Sequence, residues 1–295
     1  MFERSVELIT GPYRSGKTMW LLEELVRHSR EQPLATRPVL LTVPSHRYKG
    51  LLEKQLAQIL RRSGAPGLCA VKILPFYDLC HLILRQAGVN FHLLADGLRP
   101  AVLLKAIKQV ESLGKLNSFA SIANFAGTHA QMLELIDELM RAALSPREVA
   151  ATLSRAASSE SRYQELAAIY QAYWDELEKL NVYDERKLAF KVREILPQWA
   201  KVASPPALLA VDGFDRLSPL QLSVLSSLAR HCERTLITFD YVSQGPKLDE
   251  YTWKQKSING LLAFAEGGLT LKETQFEQSV PEVKSELIST LDRQL

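Results

Sequence analysis

Gly11-Pro12-Tyr13-Arg14-Ser15-Gly16-Lys17-Thr18 carries the spacing G-x-x-x-x-G-K-[ST] in full. These residue types at this spacing fit one chemistry. Glycines let the backbone fold tightly enough for its N–H groups to face phosphate oxygens. A helix that opens at the end of such a loop adds its positive terminus. The lysine neutralises the β- and γ-phosphates, and the threonine hydroxyl reaches Mg²⁺. The run Gly11–Thr18 is therefore expected to hold a nucleoside triphosphate with Mg²⁺.

Such a loop needs a second strand ending in Asp to complete the Mg²⁺ shell. Leu208-Leu209-Ala210-Val211 reads as that strand, with Asp212 at its end. Thr18 and Asp212 are thus the expected metal residues. In many ATPases a Glu follows the Asp and activates water. Here the next residue is Gly213, which has no side chain. No catalytic base stands out, and Asp215 is the nearest spare carboxylate. Asp240 ends another apolar run and could face the γ-phosphate side.

The surrounding texture says what must position these groups. Ser5–Thr10 alternates and stops at a Gly-Pro turn, as a short strand does. Residues 17–31 repeat apolar residues at helical spacing (Met19, Leu21, Leu22, Leu25, Val26). Pro38–Pro44 is a continuous apolar run expected of a buried parallel strand. A helix is predicted from about Arg47 to Arg62, a strand at Val71–Pro75, and a helix to about Gly88. From Leu98 to Ala200 no strand is predicted; Glu134–Ala143 and Gln164–Leu180 are its clearest amphipathic stretches. Strands return at Ala207–Asp212 and Thr235–Asp240, around a helix at Pro219–His231. Beyond Val242 no element is assigned. The expected fold is α/β: a P-loop NTPase (RecA-like) parallel sheet wrapped by helices. It is split into residues 1–97 and 201–295 around an all-helical insertion, 98–200.

Single-stranded nucleic acid is bound by cations for phosphates and aromatic faces for bases. Ser45, His46, Arg47, Tyr48 and Lys49 combine both directly after a strand. Phe76 and Tyr77 follow the next strand, also at the carboxyl-end rim where open α/β sheets bind ligands. Ser45, Arg47, Lys49, Phe76 and Tyr77 are the candidate DNA contacts.

Taken together, these segments resemble the amino-terminal region of the UvrD/RecB-like superfamily-one helicases, and within it the AddB-type subunit of bacterial ATP-dependent helicase–nucleases. Gly11–Thr18 is similar to that family's nucleotide loop, and Leu41-Thr42-Val43-Pro44-Ser45 to its DNA-touching segment. Ile73–Arg85 is similar to its aromatic-led helix. Leu209–Gln221, with Asp-Gly-Phe and a downstream Pro-Leu-Gln, is similar to its acidic motif. Active helicases of the family have Asp-Glu there. The resemblance covers residues 5–240 and implies ATP as the nucleotide, with little or no turnover. It also implies single-stranded or end-exposed DNA as a ligand, an AddA-like active partner subunit, and a role at broken DNA ends in repair and recombination. Relatives continue into a second motor domain and a nuclease, so the chain reads as a fragment. The alternatives are an autonomous small P-loop ATPase or kinase, and a non-catalytic nucleotide-dependent interaction module. The long helical block and the lack of an arginine-bearing lid argue against the kinase.

Composition agrees. Hydrophobic residues are 46% and charged residues 23%, the balance of a soluble globular protein. No apolar run reaches the roughly 20 residues of a membrane span. The first residues have no secretory pattern. Three cysteines with no C-x-x-C pair fit a reducing cytoplasm. A net charge of +3 means that any nucleic-acid surface must be a local patch.

Overall fold

The structure, a computed structural model, describes residues 4–31, 37–62, 71–155, 161–203, 205–243, 248–264 and 269–276. In chain order its elements are β1 (Ser5–Gly11), α1 (Lys17–Glu31), β2 (Val39–Val43), α2 (His46–Arg62), β3 (Val71–Pro75), α3 (Phe76–Gln86) and β4 (His92–Leu93). The helical stretch follows with α4 (Arg99–Ser112), α5 (Ala126–Arg141), α6 (Pro146–Arg155), α7 (Ser161–Lys179), β5 (Val182–Tyr183) and α8 (Glu185–Val202). Then come β6 (Leu208–Val211), α9 (Pro219–Ala229), β7 (Arg234–Asp240), α10 (Leu248–Tyr251), α11 (Gln255–Leu262) and β8 (Thr270–Gln275).

Two compact units result. The first comprises Met1–Leu74, Pro206–Arg216 and Cys232–Leu295; the second comprises Pro75–Pro205 and Leu217–His231. The helices α3 and α9, expected from the sequence in the sheet domain, thus group with the helical stretch.

The first unit is built on a six-stranded sheet of order β3-β2-β6-β7-β1-β8. Its pairs β1–β7, β1–β8, β2–β6 and β6–β7 are parallel. The central strands are aliphatic along almost their whole length, Val-Leu-Leu-Thr-Val in β2 and Leu-Leu-Ala-Val in β6, and every residue of both is buried. That is the signature of a strand covered on both faces. Leu21, Leu22 and Leu25 of α1 and Leu52 and Leu56 of α2 pack with Ile9, Leu41, Ala210 and Leu236. Each such side chain contributes roughly 1.5–3 kcal/mol by leaving water. Because the strands are parallel, β1, β2, β6 and β7 all finish at one rim, with Gly11 opposite Asp240 and Thr42 opposite Val211.

The tail departs from the sequence expectation. β8 joins the sheet beside β1, with Ser5 opposite Thr270 and Thr10 opposite Gln275. Its sequence, Thr-Leu-Lys-Glu-Thr-Gln, is polar and mostly exposed, as befits an edge strand. No apolar run announces it. β5 is a second correction, a two-residue strand pairing with β4 inside the stretch expected to be wholly helical.

Below the rim, Glu24 of α1 accepts from Arg27 (2.9 Å) and from Arg234, which also donates to Glu7 (2.9 Å). The Arg27 bond, opposed by burial and joined by Arg234, holds the Glu24 carboxyl down to about 2 from the ordinary 4.5. A carboxylate held down in this way stabilises the fold above its unfolded pKa, and loses that contribution as pH falls through the folded value. Glu24→Gln is expected to cost about 1 kcal/mol at neutral pH. The gap to wild type should close between 4.5 and about 2 in a pH series of urea denaturation.

In the second unit α4 packs on α7, and α8 on both α3 and α9. Trp199 is buried, and its indole N–H donates to Gln86 (3.1 Å). Trp174 meets Tyr170 and Phe190 edge-on. Both tryptophans serve the packing of this unit. Pro219 opens α9 behind a capping box: Ser218 Oγ accepts from the Gln221 N–H (3.3 Å), and Gln221 Oε1 accepts from the Ser218 N–H (2.9 Å). The Pro-Leu-Gln run is therefore a helix start. No helix of the described residues is long and apolar enough to cross a membrane.

Candidate functional site

The loop after β1 turns on a bond from the Ser15 N–H to Pro12 O (3.2 Å). A Cβ on Gly11 would stand 2.6 Å from Phe276 O, so the close passage of the chain after β8 requires glycine there. Gly16 O accepts from the Trp20 N–H (3.0 Å), which makes it the first acceptor of α1. The N–H groups of Gly16 to Met19 consequently open the helix with no intrahelical acceptor.

Lys17 is buried at 5% exposure. Its ammonium donates to Gly11 O (3.1 Å), Pro12 O (2.7 Å) and Ser15 Oγ (3.0 Å), and pairs with Asp240 Oδ1 (2.8 Å) at the end of β7. Thr18 donates to Asp212 Oδ1 (3.1 Å) across a separation of 194 residues. Thr238 of β7 donates to the same oxygen, and Tyr48 of α2 to Asp212 Oδ2 (2.8 Å). Asp212 is held beside β2 by its own N–H, which donates to Thr42 O (3.1 Å). Burial pushes the Asp212 carboxyl above its ordinary range, and bonds from Thr238, Tyr48 and Thr18 hold it back. Burial, with the Asp212 charge, pushes the Tyr48 phenol up, so Tyr48 remains a donor.

These groups line one cleft of about 1030 Å³. Its walls are the loop at Tyr13–Met19, the turn Pro44–Tyr48 with the first turns of α2, Asp212 and Gly213, and Thr238–Asp240. All of them follow or end strands at the carboxyl rim. Among the described residues, no group of three or more His, Cys, Asp or Glu side chains is placed to hold a metal ion.

The family model described as "ADDB, N-terminal" matches residues 8–291. The chain belongs to the AddB amino-terminal family. Curated relatives, each named as a subunit of an ATP-dependent helicase/deoxyribonuclease, align along most of it. That of Bacillus pumilus is 26% identical over 93% of this chain and 24% of its own length. That of Carboxydothermus hydrogenoformans is 27% identical over 78% of this chain and 20% of its own. That of Listeria monocytogenes is 21% identical over 97% and 24%. The chain thus spans about a quarter or less of the length of these relatives.

In this AddB amino-terminal chain, Thr18, Asp212, Lys17 and Asp240 converge. Ser45 and Arg47 are exposed at the cleft rim, where Ser45 Oγ accepts from the Tyr48 N–H (3.2 Å). Lys49 lies one turn along α2, 3.7 Å from Glu53. Asp215 lies at the rim too, 84% exposed and 3.5 Å from Lys254. Phe76 and Tyr77 belong to the second unit. Phe76 is 2% exposed and presents no face on which a base could stack. The Tyr77 phenol is pushed up to about 12 by burial. Sequence reasoning missed Thr238 and Tyr251, whose hydroxyl accepts from the Tyr13 N–H (3.1 Å). Thr238 had a signal: a polar residue in an apolar strand, on the same face as Asp240 two positions on.

Proposed function

We propose that this chain is the nucleotide-binding, helicase-like module of an AddB-type helicase–nuclease subunit, with a P-loop NTPase (RecA-like) sheet. Mg-ATP lies in the rim cleft, and a single DNA strand runs along the turn after β2. The observation that carries this reading is the meeting of Thr18 Oγ1 with Asp212 Oδ1 at 3.1 Å beside the Gly11–Thr18 loop. A hydroxyl and a carboxylate are hard oxygen donors that suit Mg²⁺, which takes few protein ligands and completes its shell with phosphate and water. A Mg²⁺ ion held there would neutralise phosphate charge.

Each residue then has a task. The N–H groups opening α1 hold phosphate oxygens. Lys17 exchanges its pairing with Asp240 for the β- and γ-phosphates. Thr18 and Asp212 orient the cation. Position 213 offers no carboxylate to take a proton from water, so turnover is slow or absent. The relatives' names describe one subunit of a helicase and deoxyribonuclease. Extended to this chain, they support a partner subunit and DNA as a ligand. In the proposed reading the partner is the active, AddA-like motor and the DNA is a broken end.

Arg47 and Lys54 are exposed at the cleft, two helical turns apart on one face of α2. The expected result for oligo(dT) is binding that weakens steeply with salt. Arg47→Ala and Lys54→Ala should each flatten the log–log salt slope by about 0.7. Unchanged slopes in both variants would move the DNA path elsewhere. No binding by the wild type would favour a nucleotide-dependent interaction module instead.

A further inference from the structure

We propose that Tyr48 is a latch on the cation position of this cleft, holding the second Asp212 oxygen, Oδ2, against a divalent ion that draws on it; this rests on the nucleotide reading above. Two contacts of its side chain carry it. The first is the hydroxyl, which donates to Asp212 Oδ2 at 2.8 Å. Thr18 and Thr238 both bond the other oxygen, Oδ1. Tyr48 therefore alone restrains Oδ2 among the hydrogen bonds of the described residues. The second contact is the ring. A Cβ built on Gly213 would lie 2.3 Å from Tyr48 Cε1 and 2.6 Å from Cζ. The ring thus fills the space into which any side chain at position 213 would have to grow. Gly213 also has φ +80, where L side chains are strained.

The absence of a carboxylate at 213 and the presence of Tyr48 are one packing solution. The aromatic ring covers the glycine, and in covering it brings its hydroxyl to the carboxylate. Tyr48 sits in the first turn of α2, directly after the exposed turn Pro44–Arg47, and its N–H donates to Ser45 Oγ. A ligand that shifts this turn shifts the latch. A cation engaging Oδ2 requires the phenol to surrender a hydrogen bond to a charged acceptor, and part of its binding free energy goes into that release.

The test is Tyr48→Phe, which keeps the ring over Gly213 and removes only the hydroxyl. The affinity of a fluorescent ATP analogue is measured with Mg²⁺ and with EDTA, for wild type and variant, after thermal melts establish that both are folded. The expected result is a Mg²⁺ enhancement about tenfold larger in Tyr48→Phe, with the EDTA affinity unchanged. Equal enhancement in the two proteins overturns the latch and leaves the nucleotide reading standing. A fall in the variant's EDTA affinity also overturns it, because the hydroxyl would then serve the nucleotide or the fold. If wild type binds no analogue that Lys17→Ala abolishes, the nucleotide reading itself fails, and the latch with it.

Discussion

Lys17→Ala is expected to lower the affinity of this chain for Mg-ATP by a hundredfold or more. The loop itself wraps the ammonium, which is 5% exposed and held by two loop carbonyls and Ser15 Oγ. A hydrogen bond to a charged partner is worth roughly 1.5–3 kcal/mol, so removing two phosphate bonds together amounts to about two decades or more. The fold should survive the change. Asp240, the ion-pair partner left behind, is 27% exposed, and water can take the place of the lysine. Equilibrium binding of a fluorescent ATP analogue measures the loss, with the far-ultraviolet circular dichroism of the variant as the control. An affinity close to that of wild type would remove Lys17 from the phosphate site.

Gly213→Ala is expected to destabilise the first unit by about 2–5 kcal/mol, a large effect for one methyl group. Two costs add. A non-glycine residue in the left-handed region pays roughly 1–2 kcal/mol. The methyl group also enters the volume of the Tyr48 ring, and overpacking costs roughly 1–3 kcal/mol. The ring must move, and Asp212 then loses its donor on Oδ2. Tyr48→Ala should recover much of the steric part in the double variant, since the methyl group would then grow into open space. Urea denaturation of both single variants and the double gives the coupling directly. Additive effects would mean that ring and glycine do not share the packing described. For the same reason Gly213→Glu does not by itself build a catalytic base: the glutamate would begin its course inside the tyrosine ring.

How much of the fold and site is legible in the sequence depends on whether the signal is local. The loop Gly11–Thr18 is legible because its pattern lies in consecutive residues, between β1 and α1. Asp212 is legible because a buried strand must be apolar, so a charge at its end stands out. The edge strand β8 is not, since a strand with one side toward solvent needs no hydrophobic run. The family-like Pro-Leu-Gln is legible as a pattern but not as a cause; the structure gives it one in the capping box that opens α9. Grouping α3 and α9 with the helices depends on contacts that amphipathic patterns cannot specify, because an apolar stripe does not name its partner. Phe76 misleads for a related reason, as an aromatic residue at a strand end looks the same whether it faces a ligand or a core. Tyr48 stands out in the sequence only as an aromatic among basic residues. Its bond to Asp212 spans 164 positions, and only the parallel order of β2 beside β6 brings the two together.

The central claim is that Thr18 and Asp212 form the cation side of a nucleotide site. Calorimetric titration of ATP into the chain, once with Mg²⁺ and once with EDTA, tests it most directly. The expected result is a single site per chain, tighter with Mg²⁺, whose Mg²⁺ dependence disappears in Asp212→Asn while EDTA binding persists. Binding that is indifferent to Mg²⁺ in the wild type, or a Mg²⁺ dependence that survives Asp212→Asn, would contradict it.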